Sequence, residues 1–319
     1  MLSRVADNLY WMSRYLERAE HTARLLDVAT NLMLEHSPVL STRRHWERLL
    51  KGLHIPQTDD EVMDEYAITN LLTFQTGPVS SIRNCIANAR DNARQVREQI
   101  SSEMWMQLNE LHLWIQHASI EAVWREPYPF YRAVKEGSHL FQGITDATMN
   151  HDQGWQFIQL GRFMERAGAT AALLKVHSEA FPFTSHYQIH VDEYLEWLSL
   201  LKSCTAFEAY CKVYTTDLRS NTIMEFLLFN AEFPRSVRFC AEQILVALDA
   251  IAQDTSTHRK NRVERIAGRL RAALSFDQVD EILTEGLNRY LENIEYQCGQ
   301  IHNITYETFI NYTVDAALS

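Results

Sequence analysis

Apolar and small residues form a continuous helical stripe along the opening segment of the chain. Between Val5 and Met33 they recur at alternating spacings of four and three, which is the period of one face of an α-helix. Ser37-Pro38 follows the stripe, and the residue before a proline disfavours helical backbone. The pattern therefore predicts one long helix that ends at this pair.

Helical periodicity continues along the rest of the chain, interrupted by turn residues. Pro127 and Pro129 mark a clear break, because proline disrupts a helix interior, and a second long helix is predicted from Asp152 to Ala180. Further helices are predicted at about 39–54, 59–75, 80–100, 102–125, 131–148, 188–212, 219–230, 234–254, 259–274 and 277–311. No segment shows sustained strand alternation or a hairpin signal. The sequence therefore predicts an all-α fold, a multi-helix bundle.

The composition agrees with long helices and narrows the choice of partners. Only 10 Gly and 7 Pro occur among 319 residues, while hydrophobic residues make up 46%, which favours long helices around a well-filled core. The formal net charge of −11 repels phosphate backbones, so we expect no nucleic-acid partner. No apolar run approaches the roughly 20 residues that span a bilayer, so we expect no membrane partner.

The cysteines and the start of the chain predict a cytoplasmic protein. Five cysteines occur, an odd number without a Cys-x-x-Cys motif, which indicates free thiols in a reducing compartment. Residues 1–7 are polar and periodic, unlike the apolar core of a signal peptide. Cys85 and Cys240 recur in similar surroundings, and we expect both to be buried for packing rather than for catalysis.

Two stretches of the chain, 14–26 and 162–174, repeat one pattern. Both contain Arg-x-x-Glu-Arg-Ala, followed at the same distances by Thr-Ala and Leu-Leu. A second match follows in the same order, because residues 81–85 (Ser-Ile-Arg-Asn-Cys) resemble residues 236–240 (Ser-Val-Arg-Phe-Cys). Self-similarity at a constant offset indicates duplication.

The duplication predicts how the chain is divided. We expect a first helical repeat over residues 1–148 and a second over residues 149–319, related by a pseudo-twofold axis within one compact domain. Each repeat would then contribute one Glu-Arg helix to the seam between the two halves.

The repeated helix is apolar on both faces, with Leu16 on one side and Leu25 and Ala29 on the other. Such a helix lies buried between neighbours. Its arginines therefore lie in semi-buried surroundings, and each needs an acidic or hydrogen-bonding partner because a guanidinium keeps its charge. The candidate site residues are Arg14, Glu17, Arg18, Arg162, Glu165 and Arg166.

Glu17 and Glu165 are the nearest carboxylates to these arginines. Arg14 can pair with Glu17 along one helix, three residues away. If the halves pack about a pseudo-twofold axis, Glu17 would also meet Arg166, and Glu165 would meet Arg18. Two interpretations follow. The cluster is either a buried ion-pair lattice that fixes register, or the lining of a cavity in which arginines hold a carboxylate or phosphate.

The sequence predicts no catalytic residue, metal site or cofactor. Glu17, Glu20 and His21 lie together, but a di-iron bundle repeats Glu-x-x-His on two helices, and the second copy has Gly168-Ala169 where Glu20-His21 would be. His186 and His190 have helical spacing, but the glutamate of a zinc peptidase is missing between them.

The motifs resemble those of one known family. Residues 2–20 resemble the opening signature of the bacterial Alpha-E family, an all-helical domain of unknown function with a Glu-Arg motif. Residues 152–174 resemble its second motif, and residues 233–237 (Phe-Pro-Arg-Ser-Val) resemble its later segment. The resemblance covers essentially the full chain. Gly168-Ala169 is a departure, because a more polar pair is expected there.

The family resemblance implies a setting for this chain. Members accompany, or are fused to, circularly permuted ATP-grasp proteins and transglutaminase-like or proteasome-like peptidases, an association typical of systems that make or modify a peptide or amide-linked product. It implies a non-catalytic binding or scaffold partner of an ATP-grasp-type ligase that holds a peptide or anionic intermediate. The alternative is an enzyme of the same pathway in which Glu17 or Glu165 acts as acid or base.

Overall fold

Helices make up all the regular structure in the described part of the chain. The computed structural model describes residues 1–35, 39–56, 64–77, 80–181, 191–253 and 260–310. Its elements are α1 (Ser3–Glu35), α2 (Val39–Gly52), α3 (Glu65–Phe74), α4 (Ile82–Gln95), α5 (Ser102–Gln116), α6 (Ile120–Arg125), α7 (Pro127–Thr148), α8 (Gln153–Ala180), α9 (Val191–Ser203), α10 (Phe207–Tyr214), α11 (Ser220–Phe229), α12 (Val237–Gln253), α13 (Lys260–Phe276), α14 (Val279–Glu285), α15 (Leu287–Thr305) and a π-helical turn (Tyr306–Ile310). The predicted all-α fold is confirmed.

Two long helices, α1 and α8, lie against each other at the centre of the molecule. Around them, α1 also packs against α4 and α7, while α8 packs against α12 and α15. Tyr10 lies beside Gly161, and Glu17 lies beside Arg166. The residue numbers increase together, so the two helices run in the same direction across their contact.

Gly161 permits the close approach of α1 and α8. A Cβ atom at this position would lie 2.4 Å from the backbone carbonyl oxygen of Tyr10. Only glycine fits there without displacing backbone, which is a recognised use of this residue where two chain segments meet closely. The contact therefore fixes the positions from which both Glu-Arg motifs project.

The buried apolar side chains form one continuous core. It includes residues from α1, α4 and α7 as well as from α8, α12 and α15. Cys85 and Cys240 lie within it, which confirms the burial predicted for both. In the described part of the chain, no helix is long and apolar enough to cross a membrane.

Three predicted helices are each divided in two. The prediction over 102–125 becomes α5 and α6, because Ser119 caps the second helix by accepting from the Ala122 N–H at 3.3 Å. The prediction over 188–212 is interrupted near Thr205, where φ is 50°, and the one over 277–311 is interrupted at Gly286, where φ is 118°. A positive φ does not fit an α-helix.

Other predicted boundaries change for simple reasons. Helix α7 begins at Pro127 rather than near residue 131, because proline is tolerated in a first turn, where the amide hydrogen has no helical acceptor. Asp152 caps α8 by accepting from the N–H groups of Gly154 and Trp155, close to the predicted start. The predicted stop at Ser37-Pro38 and the pair His186 and His190 lie outside the described residues.

Candidate functional site

The two Glu-Arg motifs pair across the contact between α1 and α8. The carboxylate of Glu17 accepts hydrogen bonds from Nε and Nη2 of Arg166 at 2.7 and 2.9 Å. In the matching pair, the carboxylate of Glu165 accepts hydrogen bonds from Nε and Nη2 of Arg18 at 2.5 and 3.1 Å. Both pairs are bidentate, the geometry in which a planar guanidinium binds a carboxylate most specifically.

The remaining two arginines of the motifs behave differently from each other. Arg14 donates to Glu165 at 2.8 Å, so the pairing expected along α1 with Glu17 is replaced by one across the helix contact. Arg162 donates to Gln159 and forms no ion pair with any described residue. Burial, together with Arg166, lowers the pKa of Arg162. Five of the six predicted residues therefore form ion pairs, and Arg162 is the one that forms none with a described residue.

Glu17 belongs to a group that we call the closed cluster: Glu17, Glu20, Arg24, Arg166 and Arg235. Arg235 bridges the two carboxylates, at 3.2 Å from Glu17 and 2.5 Å from Glu20. Arg24 also pairs with Glu20. The side chains of Glu17 and Glu20 are 2% and 0% exposed, so this network lies almost entirely away from water.

Compensating charges keep the carboxylates of the closed cluster ionised. Burial alone would raise the pKa of Glu17, but Arg166 and Arg235 outweigh it and lower that pKa. The pKa of Glu20 is likewise held well below its usual range against burial, chiefly by Arg235. A buried charge is retained only where partners of opposite sign lie close.

Sequence reasoning missed three members of the closed cluster: Glu20, Arg24 and Arg235. Glu20 lies three residues after Glu17 and therefore near the same helix face, a spacing that suits an ion-pair partner as well as a metal ligand. Arg235 directly precedes residues 236–240, the segment that resembles residues 81–85. Its position beside this repeated segment is the feature of the sequence that points to it. Arg24 is four residues after Glu20, a spacing typical of ion pairs along a helix.

The second group, which we call the open cluster, contains Arg14, Arg18 and Glu165. Two guanidiniums share one carboxylate, so the cluster carries a net charge of +1. The exposed fractions of the Arg14 and Arg18 side chains are 16% and 26%. Burial alone would raise the pKa of Glu165, but the two arginines lower it to about 2.

Most donor nitrogens of the open cluster are used within the protein, and one nitrogen has no partner among the described residues. Nη1 of Arg14 donates to the hydroxyl of Tyr10 at 3.2 Å, and Nη1 of Arg18 donates to the hydroxyl of Ser80 at 3.2 Å. Among the described residues, Nη2 of Arg14 has no hydrogen-bond partner. The open cluster thus keeps a donor available for a further acceptor.

The open cluster lines a cavity of about 650 Å³. The walls come from α1, α8 and α15, with the segment after α2 and one residue each from α3 and the turn before α4. Much of the lining is apolar, including Leu53, Ile55, Leu72 and Met164. A cavity of this size, apolar with a few convergent polar groups, is typical of a small-ligand site.

Two histidines of the cavity are neutral near pH 7. Burial, together with Arg14, lowers the pKa of His302 to about 4, and burial, together with Arg235, lowers that of His21 to about 4. Nδ1 of His302 lies 2.9 Å from the Tyr10 hydroxyl and 3.3 Å from Nη1 of Arg14. Because Arg14 can only donate, Nδ1 is the acceptor and the ring hydrogen is assigned to Nε2. Nε2 of His21 is buried and has no hydrogen-bond partner in the described structure.

The geometry of the site favours binding over proton transfer. Glu165 is held as a carboxylate by two guanidiniums, and such a group accepts a proton poorly near pH 7. Glu17 does not line the cavity. Cys298 does, but burial raises the pKa of its thiol to about 12, and only a thiolate is a strong nucleophile. Within the described ranges, no group of three or more His, Cys, Asp or Glu could hold a metal ion.

Helical architecture and paired Glu-Arg motifs define the class of this protein: an all-helical domain organised around cross-helix ion pairs. The chain belongs to the Alpha-E family, described as a predicted alpha-helical domain with a conserved ER motif, whose family model matches residues 1–310. In this chain, the Glu-Arg pairs at 17–18 and 165–166 are the ones that pair between α1 and α8.

Curated relatives of this chain are themselves uncharacterized. An uncharacterized protein of Mycobacterium bovis is 24% identical over 316 residues, and uncharacterized proteins of two Mycobacterium tuberculosis strains are 24% and 23% identical. In each comparison the match covers 91% of this chain and 34% of the relative. The chain therefore spans about a third of the length of these relatives. No solved structure matches it.

Proposed function

We propose that this protein is a binding subunit whose cavity holds the carboxylate of a peptide-like ligand at Arg14 and Arg18. One observation carries the proposal: two guanidiniums share the single carboxylate of Glu165 and line a cavity of about 650 Å³. A ligand carboxylate would balance the remaining positive charge and accept from the free Nη2 of Arg14.

The charge of the site favours a carboxylate over a phosphate group. The open cluster has a net charge of +1, which matches one carboxylate, whereas a phosphate monoester carries about −1.5 to −2 near neutral pH. Glu165 would repel the excess charge of a phosphate. The apolar walls suit the uncharged body of a peptide or amide.

The duplication predicted from sequence is part of this proposal. Equivalent contacts support it: α1 with α4 and α7 corresponds to α8 with α12 and α15, and α2 contacts α8 just as α9 contacts α1. The caps also correspond. Ser81 accepts from Asn84 N–H and donates to Gln75 O, and Ser236 accepts from Phe239 N–H and donates to Asn230 O. In this view each copy supplies one Glu-Arg helix to a pseudo-twofold seam.

The proposed partner is an ATP-grasp-type amide or peptide ligase, together with transglutaminase-like or peptidase proteins. This part rests on the family association, and on the fact that the matched region is about a third of each relative, so that it accompanies further chain there. The location proposed is cytoplasmic. All five cysteines are free thiols, which a reducing compartment favours.

The binding proposal is tested with N-acetyl-trialanine, a peptide that has one carboxylate and no amine, titrated by NMR near pH 7. We expect saturable binding that weakens about tenfold or more in Arg14→Gln, since a hydrogen bond to a charged group contributes about 1.5–3 kcal/mol. Arg162→Gln is the matched control, because Arg162 holds the corresponding motif position and does not line the cavity. Equal affinity in wild type and Arg14→Gln would contradict the proposal.

The scaffold proposal is tested by co-purifying the full chain with an ATP-grasp ligase encoded in the same genome. We expect a complex, and a ligase activity on peptide carboxylates that rises when this protein is added. Two proteins that elute separately, with ligase activity unchanged by the addition, would exclude the scaffold role while leaving the binding test independent.

A further inference from the structure

The cavity has a second charged end, of opposite sign to the open cluster. Glu295, on α15, lines the cavity. Lys175 lies 3.4 Å from Glu295 and 3.4 Å from Glu292, so two carboxylates share one ammonium and this group carries a net charge of −1. His54 is the other neighbour, with its Nε2 3.7 Å from Oε1 of Glu295.

Glu295 has an acceptor that the protein does not use. Its Oε1 atom is buried and has no hydrogen-bond partner in the described part of the chain. A buried carboxylate oxygen without a donor is costly, and a ligand ammonium would supply the missing hydrogen bond. The two ends are therefore alike in kind and opposite in sign. Each has a net charge, and each contains one atom, Nη2 of Arg14 or Oε1 of Glu295, without a hydrogen-bond partner among the described residues.

The two ends are separated by about the length of a short peptide. His302 contacts Arg14, and Glu295 lies seven residues earlier on α15, so about 10 Å of helix separates them at 1.5 Å per residue. On α8, Glu165 and Lys175 are ten residues apart, about 15 Å along the axis. An extended chain covers about 3.5 Å per residue, so a tripeptide fits the interval on α15.

From this arrangement we infer that the ligand is a zwitterionic peptide of about three residues. Its C-terminal carboxylate lies at Arg14 and Arg18, and its free amino group lies at Glu295. The inference rests on the proposed function, because it uses the same carboxylate site and adds the group bound at the other end.

Polar groups between the two ends suit a peptide backbone. His21 is one of the residues that line the cavity, and its Nε2 atom is buried and lacks a partner within the described structure. The neutral ring can hydrogen-bond an amide without adding charge. Gly299 also lines the cavity, and a Cβ atom there would meet none of the described residues within 4 Å, which leaves room for main chain to approach α15.

The test compares trialanine with N-acetyl-trialanine by NMR titration of the full chain near pH 7. These probes share the carboxylate and the apolar side chains, and in N-acetyl-trialanine an acetyl group converts the charged amine into a neutral amide. We expect trialanine to bind at least tenfold more tightly to the wild-type protein. Glu295→Gln should remove that preference and leave the affinity for N-acetyl-trialanine within about twofold.

Glu281→Gln is the control, because it removes the same charge from an exposed residue of α14 that lies outside the charged group of Lys175, Glu292 and Glu295 and does not line the cavity. The preference for trialanine should persist in this variant. Affinities of the two peptides within twofold in the wild-type protein would overturn the inference, as would an equal loss of preference in both variants. If N-acetyl-trialanine binds through Arg14 but the free amine adds nothing, only the inference fails. If neither peptide binds, the proposed function fails as well.

Discussion

The closed and open clusters contain the same ion pair in two different surroundings. Glu17–Arg166 and Glu165–Arg18 have matching bidentate geometry, yet the first is surrounded by protein and the second lines a cavity. The sequence difference nearby is small. Glu20 and His21 follow the motif on α1, whereas Gly168 and Ala169 follow it on α8 and line the cavity.

That difference explains why only one of the two pairs is open. Glu20 forms ion pairs with Arg24 and Arg235 in the closed cluster, and these side chains fill the space beside Glu17. At Gly168, a Cβ atom would meet nothing within 4 Å among the described residues, so no described side chain fills the corresponding space. The comparison indicates that open space remains beside the Glu165–Arg18 pair at Gly168, whereas Glu20 and its arginine partners occupy the matching space beside Glu17.

Replacing the carboxylate should lower the free energy of unfolding more in the closed cluster than in the open cluster. Glu17→Gln leaves Arg166 and Arg235 under-compensated in a buried site, and we expect the free energy of unfolding to fall by about 3–5 kcal/mol. Glu165→Gln should cost about half as much, because Arg14 and Arg18 reach the cavity and can be hydrated. Urea unfolding of both variants measures the difference.

Equal losses in the two variants, or a larger loss for Glu165→Gln, would contradict the distinction between the clusters. Near-ultraviolet circular dichroism of both variants serves as the control, since it reports whether the aromatic core stays packed around the substituted site.

Both clusters depend on the close contact between α1 and α8, and Gly161→Ala should disturb it. The added methyl group would meet the carbonyl of Tyr10 at 2.4 Å, so we expect a destabilisation of about 1–3 kcal/mol from overpacking. Gly143→Ala is the control: a Cβ there meets nothing within 4 Å, and alanine in a helix interior should stabilise by about 0.5–1 kcal/mol. Thermal unfolding that showed the same shift for both variants would refute the role of this contact.

His21 lies at the boundary between the clusters and should make stability depend on pH. Its pKa is lowered to about 4 from 6.5, so the unfolded chain binds more protons between these values and stability falls as pH decreases through this window. His21→Gln should reduce that slope by up to about 1.4 kcal/mol per pH unit. His177, whose pKa is also lowered to about 4, stays in place and preserves part of the slope. Parallel stability curves for variant and wild type would rule out this contribution.

The sequence allowed the long helices and the cross-helix pairs to be predicted, for physical reasons. A stripe of apolar residues at helical spacing reports burial directly, and α8 begins and ends within a residue of its predicted bounds. The repeat of the Glu-Arg motif led to the expectation that Glu17 meets Arg166 and Glu165 meets Arg18, because two helix faces of similar sequence that pack together present matching residues to each other.

Other features depend on tertiary structure and could not be predicted in this way. Arg235 reaches Glu20 from 215 positions away in the chain, and no local pattern encodes that approach. Arg162 shares its motif position with Arg14, but it finds Gln159 where Arg14 finds Glu165. The breaks at Thr205 and Gly286 interrupt runs whose apolar spacing is typical of one continuous helix.

The most direct test of this account is the affinity of Gly168→Glu for N-acetyl-trialanine, with Gly168→Ala as its matched control. The substitution places a glutamate on α8 at the position that matches Glu20 on α1, and its carboxylate would occupy the space beside Arg14 and Arg18. We predict that Gly168→Glu folds with a stability no lower than wild type and binds the peptide at least tenfold more weakly, whereas Gly168→Ala binds it normally. Wild-type affinity in a correctly folded Gly168→Glu protein would contradict the claim that the missing side chain leaves the anion site open.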